Sequence, residues 1–356
     1  MGKGDFSKKI VDWYLLSPRD LPWRKTKDSY RIWLSEVILQ QTRVAQGLPY
    51  YIEFVRNFPN VKALARASED KVMRTWQGLG YYSRARNLQA CAKVIASKYK
   101  GRFPKTCAEL LTLPGIGEYT AAAIASMAFG QPEAVVDGNV FRVLSRVFGM
   151  EDDISTSAGK KAFAIKAKEL LDIDRPGTYN QAVMEFGALH CTPKSPNCEE
   201  CIFSSGCFAK KRQMQNLLPV KTKKVKVRTR YFTYFIITKG NKLAMKKRSG
   251  KDIWSGLYDF YLIESKRHQR PEVLNKNDKV LGTMRLNIEF RSEVYKHVLT
   301  HQHILARFVL LSLSRGFSAR NLSDLLGVKL YSPAEVAALP KPALVSRFLS
   351  KKGALE

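Results

Sequence analysis

Residues 113 to 140 read LPGIGEYTAAAIASMAFGQPEAVVDGNV. Pro114, Gly115 and Gly117 make a tight turn, an alanine-rich helix follows, and Asp137 then precedes a further periodic segment. In DGNVFRVLSRVF, Val140, Val143, Leu144 and Val147 share one helical face, so Asp137 or Asn139 is the expected N-cap. With CAELLT ahead of it, the stretch predicts helix, glycine turn, helix. The glycines let backbone amides approach a ligand at the positive N-terminus of the second helix, where a phosphate can sit without a basic side chain. A plain helix connection with glycine as C-cap has the same appearance. Capping and chemistry are compatible at Asp137: a carboxylate fixed at a helix start stays ionised and can stabilise a cation developing nearby.

Outward from this stretch, apolar residues recur at helical spacing from residue 5 to about 190, in segments broken by PRDLPW, NFPN, GRFPK, GQPE and DRPG. That region is expected to be all-helical. Beyond a cysteine-rich loop comes an acid-free run, Lys210 to Arg230, with nine basic residues, read as an exposed linker. The period then changes. YFTYFIIT, KLAMKK, LYDFYLIE and ILARFVLLSL are rich in aromatic and β-branched residues and read as strands, with KGN turning between the first two. Ser332, Pro333 and Glu335 form a capping-box start for a closing helical segment, so the last third is a separate α+β domain.

The chain has 356 residues, enough for two or three domains, and 60 Lys plus Arg against 31 Asp plus Glu give +29. Charge spread this widely points to a polyanionic partner and favours phosphate contact at the glycine turn. No stretch approaches the roughly 18 to 20 apolar residues of a spanning helix, and the N-terminus lacks a signal-peptide pattern. An intracellular location away from membranes is expected.

Three further signals carry chemistry. CTPKSPNCEECIFSSGC, residues 191 to 207, sets Cys191, Cys198, Cys201 and Cys207 in a C-x6-C-x2-C-x5-C pattern, which fits either zinc or a four-iron cluster. In SYRIWLSEVILQQTRV, Glu36 shares a helical face with Ile32, Trp33 and Leu39. Apolar surroundings would raise its pKa and suit it to general-acid work; a head group snorkelling into water is the alternative. GLGYYSRARN, residues 78 to 87, puts Leu79 and Tyr81 beside Arg84 and Arg86, a mixture able to wedge into a base stack while holding phosphates, or to serve as core.

LPGIG, an aspartate 20 residues after Gly117, and the four-cysteine loop together resemble the helix-hairpin-helix DNA glycosylases. LPWR at 21 to 24, SEVILQQT at 35 to 42, GLGYYSRARN and a Nudix-like C-terminal domain are similar to the adenine-excising branch of that family, and the resemblance covers nearly the whole chain. It implies an all-α catalytic region at 1–209, a six-helix barrel plus an iron-sulfur module, then a basic connector at 210–230 and a Nudix-like recognition domain at 231–356. The cysteines would hold a 4Fe-4S cluster. The substrate would be double-stranded DNA with adenine opposite 8-oxoguanine or guanine, the adenine being flipped out of the stack. Glu36 would protonate it at N7, and Asp137 would stabilise an oxocarbenium-like sugar through a transient covalent bond. Tyr119 and Asn139 would position these groups, and Arg24 and Gln181 would lie against the adenine. Gln41, Thr42, Leu79 and Tyr81 would surround the opposite base, with Gly115 and Gly117 on the DNA backbone.

Strand-cleaving relatives carry a lysine where this chain has Tyr119, so a monofunctional enzyme is expected. Where the oxidised-guanine reader commonly shows Phe-Ser-His, Leu299, Thr300 and His301 stand, so Thr300 keeps a hydroxyl and the aromatic is lost. The C-terminal domain also lacks a glutamate-rich Nudix signature and reads as a module that recognises without hydrolysing. The resemblance further suggests a monomer, cytoplasmic and associated with the nucleoid. Two competing readings are a bifunctional glycosylase for oxidised pyrimidines and a non-catalytic iron-sulfur DNA sensor.

Overall fold

The computed structural model describes residues 2–16, 18–223, 226–283, 286–313 and 319–351. Its contacts divide the chain into two compact units, Met1–Arg66 with Asn87–Lys224, and Ala67–Arg86 with Val225–Glu356. Residues 67–86, which include Leu79 and Tyr81, therefore fold among the contacts of the second unit.

The first unit is helical, as the periodicity predicts. Its central helix, Pro176–Leu189, packs against Lys3–Leu16, Glu118–Phe129 and Gly138–Phe148. Phe6, Ile10 and Val11 from the first of these meet Phe163, Val183 and Phe186 in one core. Val140, Val143, Leu144 and Val147 are all buried in it, so the predicted face of the Gly138–Phe148 helix is the packed one. The alanines of Glu118–Phe129 have a packing reason: Ala121 through Ala125 are buried, and small side chains let the helix approach its neighbours on several sides. The turn before it holds to the protein by Leu113 and Ile116, both buried, and leaves Gly115 and Gly117 exposed. Gly115 sits at φ +74°, and a Cβ there would stand 2.6 Å from Cβ of Asn87, so only glycine fits.

The acid-free run departs from the exposed-linker reading. Lys210, Lys211 and Arg212 lie in the helix Phe208–Arg212, and Leu218 is buried in the core of the first unit, flanked there by Met214 and Val220. The Val220 carbonyl accepts from Ile154 N at 3.0 Å. A count of charges misses this because the anchor is Leu218, an apolar residue within the run, with Val220 beside it.

The second unit is built on two long parallel strands, Arg228–Lys239 and Gln302–Leu313, in register from Arg228 opposite Gln302 to Ile237 opposite Leu311. Phe232 through Ile237 is buried without alternation, as expected of a central strand covered on both faces. Lys242–Lys247 and Tyr261–Ser265 pair antiparallel with the first long strand, while Leu286–Arg291 and Tyr295–Val298 pair antiparallel with the second. LYDFYLIE is two strands, Tyr258–Asp259 and Tyr261–Ser265, broken at buried Phe260. The capping box forms: Ser332 accepts from Glu335 N while the Glu335 carboxylate accepts from Ser332 N. Among the described residues, no helix is long and apolar enough to cross a membrane.

Candidate active site

A cavity of about 520 Å³ in the first unit is lined by Glu36, Tyr119, Asp137, Asn139, Arg24 and Gln181, together with Thr42. That volume suits a small organic group such as a nucleobase. Sequence separations of up to 157 residues are closed here by helix packing.

Glu36 lies on the helix Ser29–Leu39, which Asp28 opens by accepting from Tyr30 N at 2.8 Å. Every residue from Tyr30 to Ile38 except Arg31 is buried, so the apolar face wraps most of the helix and Glu36 is only 8% exposed. Little of its surface reaches solvent. Its carboxyl is pushed up to about 7 in all: burial raises it most, the Tyr119 hydroxyl pulls it back, Asp137 raises it and Arg24 lowers it. The Tyr119 hydroxyl donates to Glu36 Oε2 at 2.6 Å. Burial and the two carboxylates hold that phenol well above its ordinary range, so it acts as a donor.

Asp137 is the N-cap of Gly138–Phe148 and lines the cavity as well. Its Oδ1 accepts from Asn139 N and Val140 N, each at 2.8 Å, and its Oδ2 from Asn139 Nδ2 at 2.7 Å. Burial pushes its carboxyl up, and these donors, with Arg142, pull it back. Asn139 is held in turn by Arg142, whose Nη2 donates to Asn139 Oδ1 at 2.8 Å and whose Nε donates to the Cys191 carbonyl at 2.6 Å. A continuous hydrogen-bonded path thus runs from Asp137 to the cysteine loop. It depends on Gly187, where a Cβ would come within 2.6 Å of Asn139 Cβ, so the two helices meet there only because the residue is glycine.

Arg24 and Gln181 reach the same cavity but are already engaged. Gln181 Oε1 accepts from Tyr14 at 2.8 Å, and Arg24 forks onto Glu185, Nη1 to Oε1 at 2.8 Å and Nη2 to Oε2 at 2.7 Å. Arg19 binds the same carboxylate from Nε, at 2.6 Å, and from Nη2. Glu185, with a side chain 1% exposed, escaped the sequence reading, as did Arg142. A signal existed for Glu185: it stands one turn after Gln181 within the apolar run AVMEFGAL.

Gln41 is exposed and sits at φ 55°, while Gly117 caps Glu118–Phe129 without a side chain, leaving its first-turn amides to be met from outside. In the second unit, Leu79, Tyr81, Thr300 and His301 line one cavity of about 790 Å³. The hydroxyls of Tyr81 and Thr300 are 2.5 Å apart. Leu79 is buried, Tyr81 is 41% exposed at φ 48°, and Arg84 turns inward over the Trp76 ring, donating to the Gly80 carbonyl. Arg84 thus braces the turn and does not present a free phosphate ligand.

Cys191, Cys198, Cys201 and Cys207 line one small cavity of about 20 Å³. Among the described residues, no three Cys, His, Asp or Glu side chains are close enough to share a single metal ion. Four thiols lining one void are a donor set that a four-iron cluster takes, with one cysteine to each iron. The void is walled by Arg146, which donates to Cys191 Sγ at 3.5 Å and to the Thr192 carbonyl at 2.7 Å. The purified protein is expected to show the broad visible absorbance of an iron-sulfur chromophore, lost in Cys198→Ala; a colourless chain carrying one zinc would overturn this.

Comparison with known proteins adds three family matches: the HhH-GPD superfamily base excision DNA repair protein over residues 34–169, the iron-sulfur binding domain of endonuclease III over 191–207, and the NUDIX domain over 233–351. The chain is 33% identical over 313 residues to the adenine DNA glycosylase of Buchnera aphidicola subsp. Schizaphis graminum (strain Sg), covering 88% of this chain and 89% of that one. It is 44% identical over 222 residues to the adenine DNA glycosylase of Homo sapiens, covering 60% and 41%. Among solved structures, a thermostable thymine-DNA glycosylase aligns with TM-score 0.54 at 29% identity, over 59% of this chain and 97% of that one. A non-covalent endonuclease III–DNA complex, at 22% identity and TM-score 0.51 over 60% and 99%, shares the fold.

Proposed function

The chain belongs to the adenine DNA glycosylases of the HhH-GPD base excision repair superfamily, and from that premise we propose a monofunctional reaction on adenine mispaired with 8-oxoguanine or guanine. The enzyme acts on DNA and carries a 4Fe-4S cluster on Cys191, Cys198, Cys201 and Cys207. The cluster, when bound, ties the loop 191–207 together next to the Cys191 carbonyl that Arg142 grips.

The adenine leaves the stack and enters the 520 Å³ cavity, because its glycosidic bond is out of reach inside a duplex. Glu36 gives its proton to adenine N7, and the C1′–N9 electron pair departs with the neutralised base. Asp137 faces the oxocarbenium-like sugar and forms a transient bond to C1′; water then displaces it, its proton returning to Glu36. Tyr119 and Asn139 orient the two carboxylates, and Arg24 and Gln181 lie along the base. Gly115 and Gly117 offer amides to a phosphate. Gln41, Thr42, Leu79, Tyr81, Thr300 and His301 meet the opposite base. We assign catalysis and part of opposite-base recognition to 1–209, and the rest of that recognition, without nucleotide hydrolysis, to 231–356, with the basic run 210–230 between them, in a monomer.

The observation that carries this reading is the Tyr119 hydroxyl on buried Glu36 at 2.6 Å, in a cavity with no lysine among its described lining residues. An acid is set beside a second carboxylate, and none of the described lining residues offers an amine to form a Schiff base. The test is single-turnover adenine release from three duplexes that differ only in the opposite base, with borohydride added in parallel. Release should be fastest opposite 8-oxoguanine, slower opposite guanine and at background opposite thymine, with little trapped adduct. Equal rates on all three would remove the specificity, and trapping at the level of a lysine lyase would restore the bifunctional reading.

A further inference from the structure

We propose that Glu185 is a positioning residue that sets the pH range in which Glu36 works, by offsetting part of the charge of the two arginines that share its cavity. The inference rests on Glu36 as the proton donor.

Glu185 lies on the central helix Pro176–Leu189, its side chain 1% exposed, with Arg24 and Arg19 each forked onto its two oxygens. Arg24 is 11% and Arg19 31% exposed, so neither charge is fully screened by water. Burial alone would raise the Glu185 carboxyl, but the hydrogen bonds and charges of Arg24 and Arg19 hold it down to about 2, so it is ionised throughout the working range. The groups that face Glu36 from its neighbours are Tyr119 on Glu118–Phe129, Asp137 at the start of Gly138–Phe148 and Arg24 on the Pro22–Arg24 turn. Arg43 and Arg142 also line the cavity, Arg142 turned to carbonyls and to Asn139. Of these, Arg24 is the cation that opposes keeping a proton on Glu36. An anion pressed onto both of its terminal nitrogens offsets that opposition without touching Glu36.

The consequence has a sign. Removing the Glu185 charge leaves two guanidiniums without a carboxylate, which favours ionised Glu36 and empties the acid at lower pH. Removing Arg19 leaves the Glu185–Arg24 fork in place and takes one positive charge away, so Glu36 keeps its proton to higher pH. Loosening of the cavity gives no such opposition of sign.

The experiment is single-turnover adenine release by the full chain from about pH 5 to about pH 9, for wild type, Glu185→Gln, Arg19→Gln and Glu36→Gln. The alkaline limb is expected to move down by about half a unit or more in Glu185→Gln and up by a similar amount in Arg19→Gln. Limbs that stay in place, or that move the same way, overturn the proposal while leaving the acid intact. A Glu36→Gln enzyme as active as wild type removes the acid and this proposal with it. If Glu185→Gln does not fold, Arg19→Gln decides: an upward shift supports the proposal and any other result overturns it.

Discussion

Glu36→Gln is expected to lower single-turnover adenine release by about 10³-fold while duplex affinity stays unchanged. The amide fills the same space and still accepts from Tyr119, but it has no proton to give. In the wild type, a carboxyl held at about 7 is largely protonated on the acidic side of neutrality, so release should fall with rising pH above that value. A mutant rate within tenfold of wild type at pH 6 would exclude Glu36 as the donor. The same substitution has a stability consequence of definite sign. The folded-state pKa is raised from 4.5, so the folded protein binds this proton more tightly than the unfolded chain. The stability contributed is present in full below about pH 4.5 and is lost as pH rises through about 7. Glutamine does not titrate. Glu36→Gln is therefore expected to resist denaturant better than wild type at pH 8, on the order of 3 kcal/mol, with the gap closing towards pH 5.

The second large effect is Asp137→Asn, for which a loss of about 10³-fold or more in release is expected with the fold retained. Asparagine caps helices as well as aspartate does and can still accept from the backbone N–H groups of Asn139 and Val140. What it lacks is negative charge for the sugar and an oxygen able to bond to C1′. Its amide nitrogen also meets Asn139 Nδ2, donor against donor, where Oδ2 now accepts at 2.7 Å, a cost of about 1 kcal/mol. Circular dichroism and the visible absorbance of the cluster should match wild type while adenine release collapses. A variant that lost its cluster absorbance together with its activity would show that capping, and not charge, was the missing element.

Much of this site is legible from residue types at fixed spacing. LPGIG followed by Asp137 specifies a glycine turn, a helix and a capped helix, because each step is local: glycine for φ > 0, an oxygen for orphan amides, an apolar stripe for packing. Tyr119 is readable for the same reason, since the absence of an amine there is a matter of residue type. Glu36 was half legible. Its apolar neighbours on the helix face were visible, but whether its head is dry depends on what packs over it, and Tyr119 arrives from 83 residues away.

Arg142 was not legible, and of Glu185 only its place in an apolar run was, not its role. Their partners are contributed by other helices: Arg19 and Arg24 lie more than 160 residues from Glu185, and Cys191 lies 49 residues from Arg142. Leu218 hid within a run of charge, and residues 67–86 group with a unit whose remaining residues begin at 225. By itself the sequence determined the order of the elements, the capping carboxylate, the four thiols and the lack of a lysine at 119, all consequences of local backbone and side-chain chemistry. The tertiary structure alone decided how acidic Glu36 is and which charges offset one another around it, because burial and Coulomb interaction depend on distance in space and not along the chain.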